Sequence, residues 1–280
     1  MIEIGQYNEL KILRETSVGL YLGDETGEDV LLPNKYCPES FKIDDMINVF
    51  VYRDYAERKI ATNIVPKILL YEFALLQVND VSEVGAFLDW GLEKDLLVPF
   101  KEQRQNMEKG RWYVVYLDLD EKTYRLYASN KLDKFLDLKP YEGNVGDEVD
   151  LLIMQKTELG YIAIVNNANK GLIFHNDIFQ DLNIGEKLKG YIKHIREDNK
   201  LDISLQPIGY EKFNDANSEL VYNMLVANDG FMAITDKSSP DDIYLQFGIS
   251  KKSFKKALGA LYKAGKVVLE GDGTRVVIKE

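Results

Sequence analysis

Cysteine occurs once and histidine twice in these 280 residues. A lone Cys37 closes no internal disulfide and offers no Cys-x-x-Cys pair, which points to a reducing compartment. His175 and His194, with one distant cysteine, cannot supply the four nitrogen and sulfur ligands of a structural zinc site, so no metal is expected. Also absent are a Gly-x-Ser-x-Gly turn and a glycine loop that could cradle phosphate. The carboxylates are scattered at turns, and no nucleophile or acid–base pair stands out among them. The expectation is a protein that is not an enzyme and holds no cofactor. No apolar run is long enough to cross a bilayer. The opening MIEIGQYNELKIL lacks the basic start and apolar run of a signal peptide. The expected location is the cytoplasm, away from membranes.

Basic charge is short as well: 35 Lys and Arg face 46 Asp and Glu, a net charge of −11. Such a field repels polyanions in general. Screening confines each acid's reach to roughly 8 Å at physiological salt, however, so local charge decides binding. One window runs against the total. Residues 250–266 hold six lysines and no acid.

The remaining signal is repetition. Residues 81–100, VSEVGAFLDWGLEKDLLVPF, read as two short strands joined through Gly91. A period of two places Ala86, Leu88 and Trp90 on one face and Phe87 and Asp89 on the other, so at least one large ring projects away from the core. Val18-Gly19-Leu20-Tyr21-Leu22 followed by Val30-Leu31-Leu32-Pro33 is a weaker copy. Leu159-Gly160-Tyr161-Ile162-Ala163 followed by Gly171-Leu172-Ile173-Phe174 is another, its register loosened by Val165-Asn166-Asn167. Spacings of 66 and 75 positions between Gly19, Gly85 and Gly160 imply three small domains of one kind. Each has room for five strands, which bury their inner faces only by curling into a barrel. Expected boundaries are 1–64, 68–138 and 145–206, with connectors at 64–67 and 140–146.

From Gly209 the period becomes helical. Residues 210–228 place Phe213, Leu220, Met224 and Leu225 at helical spacing. Ser239-Pro240 starts a short helix that Gly248 ends. Ser250 caps another, with Phe254, Ala257, Leu258, Leu261 and Tyr262 as its apolar stripe and Lys251, Lys252, Lys255 and Lys256 opposite. Residues 267–269 and 275–278 flank a glycine-rich hairpin tip. Helix, short strand, helix, turn, basic helix and hairpin form the order of a winged helix over 209–280. The fold class expected is mainly β with a C-terminal α+β domain.

The repeats resemble S1-type domains, a branch of the OB-fold, whose second strand reads Gly-x-Phe-Val and whose third begins Gly-Leu-x-His. Gly85-Ala86-Phe87-Leu88 matches the first pattern; Pro99 and Phe174 stand where the histidine is usual. Three such repeats followed by a winged helix resemble the conserved virulence factor B family of Gram-positive bacteria. The resemblance implies a cytoplasmic RNA-binding regulator of gene expression whose third S1 domain and winged helix make much of the RNA contact.

S1-type barrels lay unstacked bases against rings on strands two and three, with lysine and arginine around them taking phosphates. Tyr21 and Phe87 are the candidate platform rings. Trp90, on the face of Leu88, fits the core equally well. Phe100 sits at a strand end beside Lys101 and Arg104. Tyr161, Phe174 and His175 gather in the third repeat, with Lys193, His194 and Arg196 as a cationic strand end. Each ring competes with a plain core or interface role, and each charge with a solvated face. The partner expected is single-stranded RNA, bound by several weak modules and regulated after transcription. Two alternatives stay open: a DNA-binding transcription regulator working through the winged helix, and a protein scaffold that touches no nucleic acid.

Overall fold

The computed structural model describes residues 1–178, 180–207, 216–271 and 273–277, which leaves Phe213, Asp272 and Ile278 outside the described residues. The chain forms two compact units, Met1–Leu205 and Gln206–Glu280.

The first unit holds three five-stranded sheets. β1 (Tyr7–Thr16), β2 (Gly19–Gly23), β3 (Asp29–Pro33), β4 (Met46–Arg53) and β5 (Lys59–Thr62) close a barrel in the order β1-β2-β3-β5-β4. Alternation puts Leu10, Ile12, Leu20, Leu22, Val30, Leu32, Val49 and Val51 inside. β6 (Phe73–Ser82), β7 (Gly85–Asp89), β8 (Leu96–Pro99), β9 (Trp112–Asp120) and β10 (Arg125–Ser129) repeat the pattern as a sheet ordered β10-β9-β6-β7-β8. β11 (Glu148–Lys156), β12 (Gly160–Val165), β13 (Asn169–Phe174), β14 (Lys187–Ile195) and β15 (Leu201–Ser204) close a barrel again. In each repeat the long first strand carries a bulge, between Ile12 and Arg14, Val78 and Asp80, and Ile153 and Gln155. The bulge bends and twists the strand so that it can pair with both neighbours round a tight barrel.

The barrels are not beads on connectors. β4 reads MINVFVYR, apolar on both faces: Val49 and Val51 fill the first barrel, while Phe50 and Tyr52 point out of it and are buried in the core of the second. There Trp90 meets Phe50 edge-on at 5.8 Å and Tyr52 at 6.1 Å. Polar bonds fix the seam: Leu70 N donates to the Gly5 carbonyl at 2.8 Å, Arg53 Nε to that of Tyr124 at 2.9 Å, and Tyr55 Oη to that of Glu93 at 2.6 Å. The second and third repeats join through a separate apolar cluster of Phe73, Val114, Leu132, Leu136, Leu152 and Ile164. Asn166 and Asn167, at φ of 47° and 58°, form the tight β12–β13 turn. The Asn167 side chain reaches across, accepting from Phe73 N at 3.1 Å and donating to the Tyr71 carbonyl at 2.7 Å.

In the second unit, α1 (Ala216–Ala227), α2 (Pro240–Phe247) and α3 (Lys251–Lys263) pack over the small sheet of β16 (Phe231–Met232), β17 (Val267–Leu269) and β18 (Thr274–Val276). Ser239 and Ser250 accept backbone N–H bonds as caps of α2 and α3, and Gly248 ends α2 at φ 66°. Val221, Ile243, Phe247, Phe254, Leu258 and Leu261 are the core. Tyr262, which the helical spacing places with the apolar stripe, lies 55% exposed instead.

Trp90→Ala would open a cavity shared by two barrels. Large aromatic truncations of this kind cost about 3–5 kcal/mol. Denaturant unfolding followed through the β signal of circular dichroism should show a loss of that size. A change within about 0.5 kcal/mol, the scale of an exposed substitution, would contradict the fused core.

Candidate nucleic-acid interface

Gly19, Gly85 and Gly160 open the second strand of each repeat at φ of 148°, 148° and 150°. A Cβ there would fall on the carbonyl oxygen of Leu32, Val98 and Ile173 respectively, so β2, β7 and β12 approach their neighbours only because the residue is glycine. The glycine also sets the phase of its strand. Two positions on, Tyr21, Phe87 and Ile162 point outward, paired with Leu31, Leu97 and Leu172.

In the third repeat the register gives the outward position to Ile162, and Tyr161, expected to gather with Phe174 and His175, lies on the other face. It packs at the rim of the third core, edge-on to His175 at 6.4 Å and 5.7 Å below the Lys156 ammonium. For Trp90 the core role holds and the binding role does not. It is 3% exposed, and its indole N–H donates to the Lys94 carbonyl at 2.6 Å. The alternation that turns Phe87 outward necessarily turns Trp90 inward, where Phe50 and Tyr52 cover it.

The outward rings differ in what already occupies them. Tyr21 carries the Arg14 guanidinium 4.0 Å from its ring centroid, placed there by the bulge that pairs Arg14 with Tyr21. The same register puts Asp80 opposite Phe87. Phe87 is half-buried with no cation over its face among the described residues. Phe100, 45% exposed, opens the 3-10 turn after β8, and Lys101 comes next. Among the described residues no hydrogen bond or ion pair holds the Lys101 ammonium.

In the third repeat the cationic strand end is largely spoken for. Lys193 binds Asp177 at 2.7 Å, and Arg196 binds Asp202 at 2.6 Å while lying 5.9 Å from the Phe174 ring. His175 and His194 are exposed. Among the described residues no cluster of His, Cys, Asp and Glu could hold a metal ion.

On α3, Lys252, Lys255 and Lys256 are exposed opposite the buried stripe, and Lys251 is half-buried. Lys251 Nζ donates to the Lys237 carbonyl at 3.4 Å, and Asp236, outside the helix, lies 3.8 Å from Lys255. Lys252 and Lys256 have no ion pair among the described residues.

Residues missed by sequence pattern line a cleft of about 540 Å³ beside Phe87. Arg53, Tyr55 and Glu57 come from the β4–β5 hairpin of the first barrel; Lys94, Arg125 and Tyr127 come from the second repeat. Glu57 is the clamp between them, accepting from Lys94 Nζ at 2.9 Å and Arg125 Nε at 3.1 Å. The hydrogen bond from Lys94 holds its carboxyl below the ordinary 4.5. A depressed folded-state pKa gives stability that is present above the unfolded value and lost as pH falls through the folded one. Unfolding free energy of the full chain should therefore decline below pH 4.5, less steeply in Glu57→Gln than in the parent. Parallel declines would show that the clamp contributes nothing.

Comparison with known proteins places these features in a family context. Residues 4–63 match the family model described as an S1 domain, and residues 219–276 that described as a CvfB-like winged helix domain. The Bacillus subtilis protein YitL is 28% identical over 96% of this chain and 92% of its own length. Conserved virulence factor B of Staphylococcus epidermidis is 24% identical, with 96% of each chain covered. A solved structure of a multidomain protein with nucleic acid binding domains from Streptococcus pneumoniae is 25% identical across 98% of both chains, at a TM-score of 0.45. S1 and winged-helix domains are of nucleic-acid-binding type rather than typical of enzymes. Among the described residues no helix is long and apolar enough to cross a membrane.

Proposed function

We propose, from the likeness of the chain to conserved virulence factor B proteins along nearly its whole length and from its match to the CvfB-like winged helix domain, that it binds single-stranded RNA at several points and acts after transcription, on message stability or translation. The observation that carries this reading is the outward Phe87, held by a glycine-set strand with one face open and the uncommitted Lys101 in the same cleft. A ring so placed offers a stacking surface to a base already free of a duplex. That contact is worth roughly 1–3 kcal/mol per base and requires no particular sequence.

The lysines of α3 add a second, electrostatic contact. Lys252 and Lys256 can each displace a counterion from a phosphate, contributing a slope of about −0.7 in log K against log salt for a single strand. Joining this face to the barrels in one chain raises the effective concentration of each for a strand long enough to meet both.

A second reading, duplex DNA held by the winged helix, has one observation in its favour: α3 exposes a basic face of the kind that docks on a duplex. Against it, the exposed side of α3 offers Lys252, Lys255, Lys256, Gly259, Ala260, Tyr262 and Lys263, with no Arg, Asn or Gln to read base edges. Phosphate contact without readout suits a single strand equally well.

Fluorescence anisotropy with labelled single-stranded RNA, the matching DNA strand and a duplex, at two salt concentrations, separates these readings. RNA should bind best and weaken with salt. Phe87→Ala should cost roughly 1–3 kcal/mol at either salt, and Lys252→Ala with Lys256→Ala should flatten the slope by about 0.7 for each ammonium removed. Tighter binding to the duplex would favour the DNA reading, and no binding to any strand would leave a protein scaffold.

A further inference from the structure

The second repeat departs from its neighbours at one edge. In the closed barrels the third and fifth strands pair in parallel, Leu31 with Ile60 in the first, and Gly171 with Leu201, Leu172 with Asp202 and Ile173 with Ile203 in the third. In the second repeat the corresponding strands, β8 and β10, lie side by side without pairing among the described residues. The seam is drawn together beyond the strand ends, where Asn130 N donates to the Glu102 carbonyl at 3.0 Å. Leu97 and Leu126 both line the cleft that opens along the unpaired stretch.

The opening is not slack left by poor packing. Its far wall is the β4–β5 hairpin of the first barrel, held in place by Glu57 on Lys94 and Arg125, by Arg53 on the Tyr124 carbonyl, and by Lys94 on that of Asp54. Aromatic and aliphatic surface predominates inside: Phe87, Leu97, Pro99 and Tyr127, with the edges of Tyr52 and Trp90 beneath. Four cations, Arg53, Lys94, Lys101 and Arg125, outnumber the three acids Glu57, Asp95 and Asp120 around the rim, against the −11 of the whole chain. Strand edges without a partner also present main-chain donors and acceptors along the seam.

A volume of about 540 Å³ falls within the range of pockets that enclose small ligands, roughly 300–1,000 Å³. It suits one nucleotide and is far too small for a duplex. We propose that this cleft, built jointly by the first and second barrels, receives a single unstacked nucleotide of the bound strand. The base lies against Phe87 and the apolar floor, its edge meets the open strand edges, and its phosphate meets Lys101. The inference rests on the RNA-binding reading and adds a place to it: the strand is gripped at one nucleotide where two barrels meet, not only laid across separate platforms.

The test is photocrosslinking of the full chain to single-stranded RNA containing 4-thiouridine, with adducts mapped by mass spectrometry. Adducts are expected on the peptides of β7, β8 and β10. Leu97→Trp, which fills the cleft, should abolish them and weaken binding severalfold while adducts on α3 persist. Lys101→Ala, a change at an exposed rim position that leaves the core untouched, should lower the yield at the same peptides. RNA that binds and crosslinks only elsewhere would overturn the cleft while leaving RNA binding intact. Cleft adducts unchanged in both variants would overturn it too. Failure to bind RNA at all would withdraw the reading and the inference together.

Discussion

Trp90, seated against Phe50 and Tyr52, is the contact on which the arrangement of the first two barrels depends. Burying each such ring contributes about 1.5–3 kcal/mol, and each well-placed aromatic pair adds roughly 0.5–1.5 kcal/mol. A small barrel standing alone has little core to spare. Sharing rings across a seam gives both barrels more buried surface than either encloses. Its consequence for function is geometric: the β4–β5 hairpin of one barrel becomes the wall of a cleft in the next.

Phase links this packing to recognition. The glycine that lets β7 press against β8 fixes which residues face out, and the bulge in β6 fixes what stands opposite them. One device serves all three repeats, yet the outcomes differ. Tyr21 is covered by Arg14, Ile162 offers no ring, and Phe87 remains open beside a cleft. Three copies of a scaffold thus carry unequal surfaces. The second repeat, whose third and fifth strands do not pair among the described residues, has a cleft along that edge.

Much of this is legible in the sequence. Alternation, glycine turns and the change to helical period point to mainly β structure ahead of a winged helix, and the caps Ser239 and Ser250 fall where the spacing puts them. Phe87 points outward as its phase requires. Trp90 escapes such a reading because a period of two says which face a ring shares and not what covers that face. The signal that would have placed it lies in β4, whose run Val49-Phe50-Val51-Tyr52 has no polar alternation and so must be buried on both sides. Leu151-Leu152-Ile153 in β11 says the same of the second seam. The cleft leaves no mark, because Arg53, Lys94 and Arg125 lie far apart in the chain and meet only through that seam. That Ile162 and not a ring takes the outward position in the third repeat is a matter of register that only strand pairing settles.

Locked barrels with an open aromatic face, and a lysine helix in a separate unit, make one prediction that neither part makes alone. Hydrogen exchange of the full chain, with and without saturating single-stranded RNA, reads it directly. RNA should slow exchange in the β4–β5 hairpin, in β7 and β8, and in α3 together, while the shared cores of the barrels stay unchanged. Protection confined to α3, with the hairpin and the second repeat exchanging as in the free protein, would contradict the account.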